Sequence, residues 1–189
     1  MGNLIKRLRV MTETAATDYS VNSVTYWTDD QLQDVLDMYR TEINQRELIG
    51  VPEYSGGSTI WKDYPLGAKD LEEATSNSGN VVAWSLVDST GTEVSSSDYA
   101  ADYISGIVRF VSDTSGAIYF LKARSYNLSR AAADIWRRKA AHVASGYDFS
   151  TEGQSFSRSQ LYANYIAIAE QFGSASGLVV TRMVRTDLV

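Results

Sequence analysis

The 189-residue chain contains no cysteine, two prolines and one histidine. Without cysteine it has no disulfide framework, no thiol nucleophile and no thiolate metal site. No apolar run approaches the roughly 18 residues that a membrane-spanning helix needs. The basic start "MGNLIKRLRVMT" is followed by neither a long apolar stretch nor a small-residue cleavage site, so we expect no signal peptide and no membrane partner.

Sequence patterns of catalysis and nucleotide binding are also absent. No GxGxxG, GxxxxGK[ST], HExxH, GxSxG or SxxK pattern occurs. A catalytic histidine needs a nucleophile and an orienting carboxylate, so the single His142 favours a packing or surface role. We therefore expect no enzyme and no cofactor. A hydrolase that uses His142 with Asp148 and a nearby serine is the alternative in that class.

A partial calcium-loop pattern precedes the last helical segment. Asp148, Ser150, Glu152 and Gly153 match the opening half of an EF-hand loop. The twelfth position, which should supply a bidentate glutamate, holds Ser159. The pattern is incomplete, and we expect no metal.

Charge is distributed unevenly along the chain, whose net charge is −6. Residues 1–11 carry three basic side chains and no acid, residues 12–126 carry 7 basic against 18 acidic side chains, and residues 127–189 carry 7 against 5. The overall sign disfavours a surface that grips nucleic acid. The unevenness is either chance segregation on a solvated surface, or it marks termini that seek an acidic surface, such as the middle of an adjacent copy.

The pattern "TYWTDDQLQDVLDMYRTEI" predicts a helix over residues 28–45. Thr28 and Gln31 have the spacing of a capping box, and Trp27 and Leu32 that of a hydrophobic staple. The apolar residues at helical spacing are Leu32, Val35, Leu36, Tyr39 and Ile43. Residues 58–126, with "NVVAWSLVDS", "GIVRFVSD" and "AIYFLKARSY" separated by glycine-bearing turns, predict a small antiparallel β module inserted between helices.

Two further helices are predicted near the end of the chain. Asn127 suits the N-cap of the first and Gly146 its C-terminal glycine, and its basic side carries Arg130, Arg137, Arg138 and Lys139. Its inner stripe is Leu128, Ala132, Ile135, Trp136, Ala140 and Val143. The polar run before the second helix is explained by a capping box of Ser157 and Gln160 and a staple of Phe156 and Leu161. That helix should end near Gln171, at Gly173.

The final stretch "LVVTRMVRTDLV" is β-prone and rich in valine. It either pairs within its own fold or serves as an arm for the sheet edge or groove of a partner. Together with the basic helix side it is the predicted interface, through Leu178, Val179, Val180, Arg182, Met183, Val184 and Arg185. The predicted fold is a single α+β domain over residues 1–189. It has a helical bundle core (the N-terminal capped helix plus the C-terminal helical hairpin), the inserted β module and an extended C-terminal arm, residues 174–189.

The stretch "AAADIWRRKAAHVASGYDFSTEGQSFSRSQLYANYIAIAEQF" resembles the C-terminal helical hairpin of head–tail connector (adaptor) proteins of tailed bacteriophages. In that family an alanine- and Trp-bearing helix leads through a "DFS…G.SFSRSQ" loop into a second amphipathic helix. The earlier "WTDDQLQDVLDMYR" is similar to their N-terminal capped helix. The likeness covers helices at about 4–45 and 127–173; the β module and the tail match loosely.

The resemblance implies a virion structural protein with no reaction and no cofactor. Such adaptors form a ring, typically of twelve subunits, beneath the portal protein. They extend the DNA channel, through which DNA passes without sequence-specific binding, and they contact the next neck or tail protein. The implied location is the virion neck, with the host cytoplasm during assembly. A stopper or tail-terminator role is the alternative within this class.

A different class of function is a glycan- or ligand-binding module of a non-enzymatic adhesion protein. In that interpretation Trp61, Trp84 and Tyr99 of the β module form the recognition face.

Overall fold

A computed structural model of the chain describes residues 2–14, 19–21, 24–78, 81–144, 149–151, 154–156 and 158–175. This described part is a mixed α/β fold with four α-helices, two larger antiparallel sheets and two two-stranded hairpins, which confirms the α+β class. The chain divides into two compact units, Met1–Leu128 and Ser129–Val189.

The first unit contains helices α1 (Gly2–Thr12) and α2 (Asp29–Met38) and most of the strands. The strands are β1 (Tyr19–Val21), β2 (Val24–Tyr26), β3 (Arg40–Leu48), β4 (Val51–Ser55), β5 (Ser58–Pro65), β6 (Trp84–Asp88), β7 (Tyr99–Asp102), β8 (Ile107–Phe110) and β9 (Tyr119–Tyr126). A 3₁₀ helix spans Ala74–Ser76. The remaining elements are α3 (Leu128–Ala144), β10 (Phe149–Thr151), β11 (Gln154–Phe156) and α4 (Arg158–Ala175).

The start of α2 confirms the predicted capping box. The Thr28 hydroxyl accepts a hydrogen bond from the main-chain amide of Gln31 at 3.4 Å. The side-chain Oε1 of Gln31 accepts one from the main-chain amide of Thr28 at 3.2 Å. These two bonds satisfy amide groups that have no partner inside the helix. Trp27 and Leu32, the predicted staple pair, are both buried.

The predicted end of this helix at residue 45 is wrong. Helix α2 ends at Met38, and Arg40–Leu48 forms strand β3, which pairs antiparallel with β9. The pairing runs from Arg40 opposite Tyr126 to Leu48 opposite Tyr119 and is interrupted by a bulge between Ile43 and Arg46. The β-structure therefore begins well before residue 58.

Two antiparallel sheets contribute to one hydrophobic cluster. The three-stranded sheet has the order β3-β9-β6, and the four-stranded sheet has the order β4-β5-β8-β7. Buried side chains from both sheets and from the residues between them form the cluster: Ile43, Leu48, Tyr64, Leu66, Leu71, Trp84, Leu86, Val108, Phe110, Leu121 and Ala123. The predicted strands around residues 84–88, 107–110 and 119–126 are confirmed, whereas β4, β5 and β7 were not predicted individually.

Residues 66–72, the linking segment, bond through their main chain to the turn between β7 and β8. The Leu66 amide donates to the Gly106 carbonyl at 2.9 Å, and the Leu71 amide donates to the Tyr103 carbonyl at 2.8 Å. The Cα of Gly106 lies so close to this segment that an added Cβ would be 1.8 Å from the carbonyl oxygen of Ala68. Glycine is thus required here both by space and by its φ of +76°.

The same segment bonds to strand β9 of the other sheet. The Glu72 amide donates to the Arg124 carbonyl at 2.8 Å, and the Tyr126 amide donates to the Asp70 carbonyl at 3.0 Å. The buried Glu72 carboxylate accepts a hydrogen bond from the Tyr126 hydroxyl at 2.9 Å and lies 3.9 Å from Arg124 Nη1. Burial, together with the Glu72 carboxylate, raises the pKa of Tyr126 far above its usual range, so its hydroxyl remains a donor.

Helix α1 is tied to the start of α2 by one guanidinium group. Arg9 Nη2 donates to Asp29 Oδ1 at 2.6 Å and to the Trp27 carbonyl at 3.0 Å. Trp27 has a φ of +65°, which is uncommon for a residue with a side chain, and its carbonyl is fixed by this contact. The buried stripe of α1 is Leu4, Leu8 and Thr12.

The inner stripe predicted for α3 is confirmed at five of its six positions, four of them in the second unit, and Val143 is half-buried. The Trp136 and Tyr165 rings lie 5.2 Å apart between centroids, which joins α3 to α4. The polar run before α4 contains the hairpin of β10 and β11. Ser157 lies outside the described residues, and α4 continues past Gly173 to Ala175.

Replacing Gly106 by alanine should strongly destabilise the first unit. The new Cβ would meet main-chain atoms that cannot move without breaking the bonds of the linking segment, so we expect a loss of about 3 kcal/mol or more. Gly91→Ala is the matched control, because Gly91 also has a positive φ (+84°) but no atom within 4 Å of the added group. It should lose only about 1–2 kcal/mol. Urea unfolding measures both, and equal losses would contradict the close approach.

Replacing Thr28 by alanine removes the N-cap of α2. We expect a loss of about 1 kcal/mol of unfolding free energy, the usual cost of a missing cap. Thr59→Ala, at an exposed position of β5, is the control and should change stability by less than about 0.5 kcal/mol. Thermal unfolding followed by circular dichroism checks both; a stable Thr28→Ala variant would show that the cap is dispensable.

Candidate interaction surfaces

The predicted basic side of α3 carries exposed guanidinium groups. Arg130, Arg137 and Arg138 are exposed, and Arg138 Nη2 donates to Asp134 Oδ2 at 2.9 Å, one helical turn away. Lys139 is half-buried, with its ammonium 4.7 Å from the centroid of the Trp136 ring. The outward charge of α3 therefore comes mainly from its arginines, and Lys139 contributes to packing on Trp136.

Helix α4 is largely apolar and yet mostly accessible. Between Ser159 and Ser174 its one charged residue is Glu170. Among the side chains that the structure describes in this helix, Ala169 is the buried one. The apolar residues that remain half-buried or exposed are Leu161, Tyr162, Ala163, Tyr165, Ile166, Ala167, Ile168 and Phe172.

The exposure of α4 is unusual for its composition. A helix that is apolar around most of its circumference is normally enclosed by other protein. Tyr165 packs on Trp136, whereas Tyr162 is 41% exposed and Ile166 is half-buried. We call the side of α4 that carries Tyr162 and Ile166 the α4 surface. Among the described helices, α4 thus carries an apolar surface suited to contact another protein.

A groove of about 560 Å³ opens where strands β6 and β8 end. Its floor includes Val94, Phe110 and Tyr119, which are buried or half-buried, and Val111 is exposed at its edge. Its rim carries four carboxylates and several hydroxyl groups, and no lysine or arginine is among the residues that line it. The acidic members of this acidic groove are Asp88, Glu93, Asp98 and Asp113.

Two rim carboxylates are fixed by hydrogen bonds, Asp88 from its own turn and Asp113 from strand β5. The side chain of Thr90 and the amide of Thr92 donate to Asp88 Oδ1 at 2.7 and 2.9 Å, and these bonds lower the pKa of Asp88. The Trp61 amide donates to Asp113 Oδ1 at 2.8 Å and lowers the pKa of Asp113 in the same way. Both groups are therefore ionised at neutral pH and held in place.

Strands β4 and β5 of the four-stranded sheet form a ribbon that extends beyond their pairing with β8. Strand β5 pairs with β8 only over Asp63–Pro65, whereas its pairing with β4 continues to Ser58. All five residues of β4 are exposed, Tyr54 to 77%. The ribbon closes through Gly56 and Gly57, whose φ values of +60° and +86° suit a type I′ turn.

The prediction that Trp61, Trp84 and Tyr99 form a glycan-recognition face is wrong for Trp84. Trp84 is 2% exposed and belongs to the hydrophobic cluster, where its Nε1 donates to the Tyr99 hydroxyl at 3.1 Å. Trp61 is half-buried, and its ring lies against Gly116. The three side chains therefore do not present one aromatic face to solvent.

The residues singled out for chemistry have no common site in the described part of the chain. His142 is half-buried on α3. Asp148, Glu152 and Gly153 lie outside the described residues, and the side chain of Ser150 is not described. Among the described residues, no three His, Asp or Glu side chains are placed to hold a metal ion. No helix in these same ranges is long and apolar enough to cross a bilayer.

The predicted interface in the final stretch has no structural description. Leu178, Val179, Val180, Arg182, Met183, Val184 and Arg185 all lie outside the described residues. Conversely, the acidic groove was not predicted as a site. The sequence showed only that residues 12–126 are acidic; the turns "DSTGT" and "SDTSG", which bring Asp88 and Asp113 to one rim, were taken as strand connections.

Comparison with known proteins adds no family. No protein-family model matches the chain, and no curated protein matches it. The function of the chain is therefore inferred from the surfaces described above and from the resemblance in sequence between its helical segments and those of connector proteins.

Proposed function

We propose that this protein is a head–tail connector (adaptor) of a tailed bacteriophage, a structural protein that acts by assembling into a ring. The ring lies beneath the portal protein, extends the DNA channel and joins the capsid to the neck and tail. The protein catalyses no reaction and needs no cofactor. The observation that carries the proposal is the α4 surface, an apolar helix surface left largely uncovered in a single chain.

Contact with other subunits explains the α4 surface. Exposing apolar side chains to water is unfavourable, and each buried Å² contributes roughly 25 cal/mol. A helix with two charged residues among eighteen is suited to an interface that forms during assembly. In this proposal α3 and α4 are the helical hairpin of the connector family, and the sheets of the first unit are the inserted β module.

A ring also requires two different contact faces on each subunit. Head-to-tail contacts close into a ring when one face of a subunit binds an unlike face of the next. The chain carries unlike surfaces: the apolar α4 surface, the exposed arginines of α3 and the acidic groove of the first unit. Surfaces of opposite charge favour such contacts over contacts between identical faces, which repel.

The proposed partners are further copies of the chain, the portal protein and a downstream neck or tail protein. Weak contacts between copies suffice when each copy is also held by the portal, because tethering raises the effective concentration. With a net charge of −6 the protein does not retain DNA, which passes without sequence-specific binding. The proposed location is the virion neck, after assembly in the host cytoplasm.

Electron microscopy of the purified protein mixed with its portal tests this proposal. We expect a ring, about twelve-fold, on one end of the portal, with the channel continued through it. The portal alone is the control. Rings at the distal end of the tail, or no binding to a portal or neck complex, would contradict the connector role and favour a tail-terminator or unrelated function.

A charge placed on the α4 surface should prevent ring assembly. In Tyr162→Glu a carboxylate replaces a 41% exposed ring, so we expect a folded chain that assembles at least about tenfold less well. Gln171→Glu adds the same charge to the same helix nine residues later, on the opposite side. It should assemble normally. Circular dichroism verifies folding and sedimentation velocity measures assembly; equal behaviour of the two variants would remove α4 from the interface.

A further inference from the structure

We infer that the acidic groove of one copy binds residues 178–185 of a second copy, the basic and apolar segment that follows α4. This inference rests on the proposed function, since it assigns one of the contacts between subunits. The contact joins the acidic groove and residues 178–185, and it does not involve the α4 surface.

The groove and the segment are complementary in charge. Four carboxylates line the groove without a lysine or arginine among its lining residues, and the nearby Lys62 ammonium donates to the Val111 carbonyl at 3.0 Å. The segment carries two arginines and no acid. Because Asp88 and Asp113 are already fixed by hydrogen bonds from the amides of Thr92 and Trp61, binding costs little side-chain entropy on the groove side.

The two are also complementary in their apolar groups. The groove floor presents Val94, Phe110 and Tyr119 beneath the charged rim. Besides its arginines, the segment contains apolar side chains that the floor of the groove can cover: Leu178, Val179, Val180, Met183 and Val184. An extended peptide with basic and aliphatic side chains therefore fits the groove, whereas a nucleic acid or another anion is repelled by the rim.

The length of the chain beyond α4 permits contact with a second copy. Helix α4 ends at Ala175, and fourteen residues follow it. Arg182 is seven residues past Ala175, so it can lie up to about 23 Å from the helix end at ~3.3 Å per residue. Arg182 and Arg185 can thus reach a subunit packed against their own.

Peptide binding tests the groove directly. The host is the full-length R182E/R185E variant, whose own segment no longer competes, and the probe is a fluorescent peptide of residues 176–189. We expect one peptide bound per chain, with affinity that falls as salt increases. The full-length E93K/D98K variant, which keeps the basic segment, should bind the peptide about tenfold or more less tightly than the host does.

Two controls make the peptide result specific. A host with E47K and E53K receives the same charge change at exposed residues that do not line the groove, and it should bind the peptide normally. A peptide with both arginines changed to glutamate should bind the full-length E93K/D98K variant, whose own basic segment does not compete for the changed groove, in preference to the original groove. Equal binding to all hosts, or no binding to the first host, would overturn the inference.

Mixing two full-length variants tests whether the contact joins different copies. E93K/D98K keeps an intact segment, and R182E/R185E keeps an intact groove, so each alone should self-associate less than the original protein. Their mixture should form a one-to-one complex in sedimentation velocity. If the peptide binds but the mixture forms no complex, the segment binds the groove of its own chain, and the contact between copies is refuted. Rings on the portal are scored separately: normal rings from E93K/D98K would refute the groove contact and leave the connector role standing.

Discussion

The first unit depends on the linking segment, residues 66–72, which makes main-chain hydrogen bonds on two sides. Its bonds to the turn at residues 103–106 hold the four-stranded sheet, and its bonds to Arg124 and Tyr126 hold the three-stranded sheet. Helix α1 joins the same segment through the ion pair of Arg7 with Asp70. Because main-chain bonds are directional, the two sheets cannot slide past each other without losing several bonds at once.

This arrangement leaves one end of the first unit available for contacts. Strand β8 runs from the turn held by the linking segment to the residues that line the acidic groove. The groove is therefore anchored by the same strand that carries Val108 and Phe110 into the hydrophobic cluster. A binding site on rigid strands loses little conformational entropy when it is occupied, which suits the contact between copies that we propose for this groove.

Local features were predictable from the sequence, and features set by distant residues were not. The capping box at Thr28 needs only four consecutive residues, and it is confirmed. Strand β3 was taken for helix because Ile43 follows Tyr39 at helical spacing, while its pairing with β9 lies about 80 residues away. The bulge near Gln45, with φ +49°, also breaks the alternation that marks a strand. The groove was missed for the same reason, since its rim combines turns that are distant in sequence.

The ribbon of β4 and β5 has a practical consequence. No heavy atom lies within 4 Å of the position of an added Cβ at Gly56 or Gly57, and the residues around this turn are exposed. Surface turns with small residues tolerate insertions well. An affinity tag or antibody epitope placed between the two glycines would therefore mark the chain without disturbing the hydrophobic cluster, and would reveal its orientation in low-resolution images of the proposed ring.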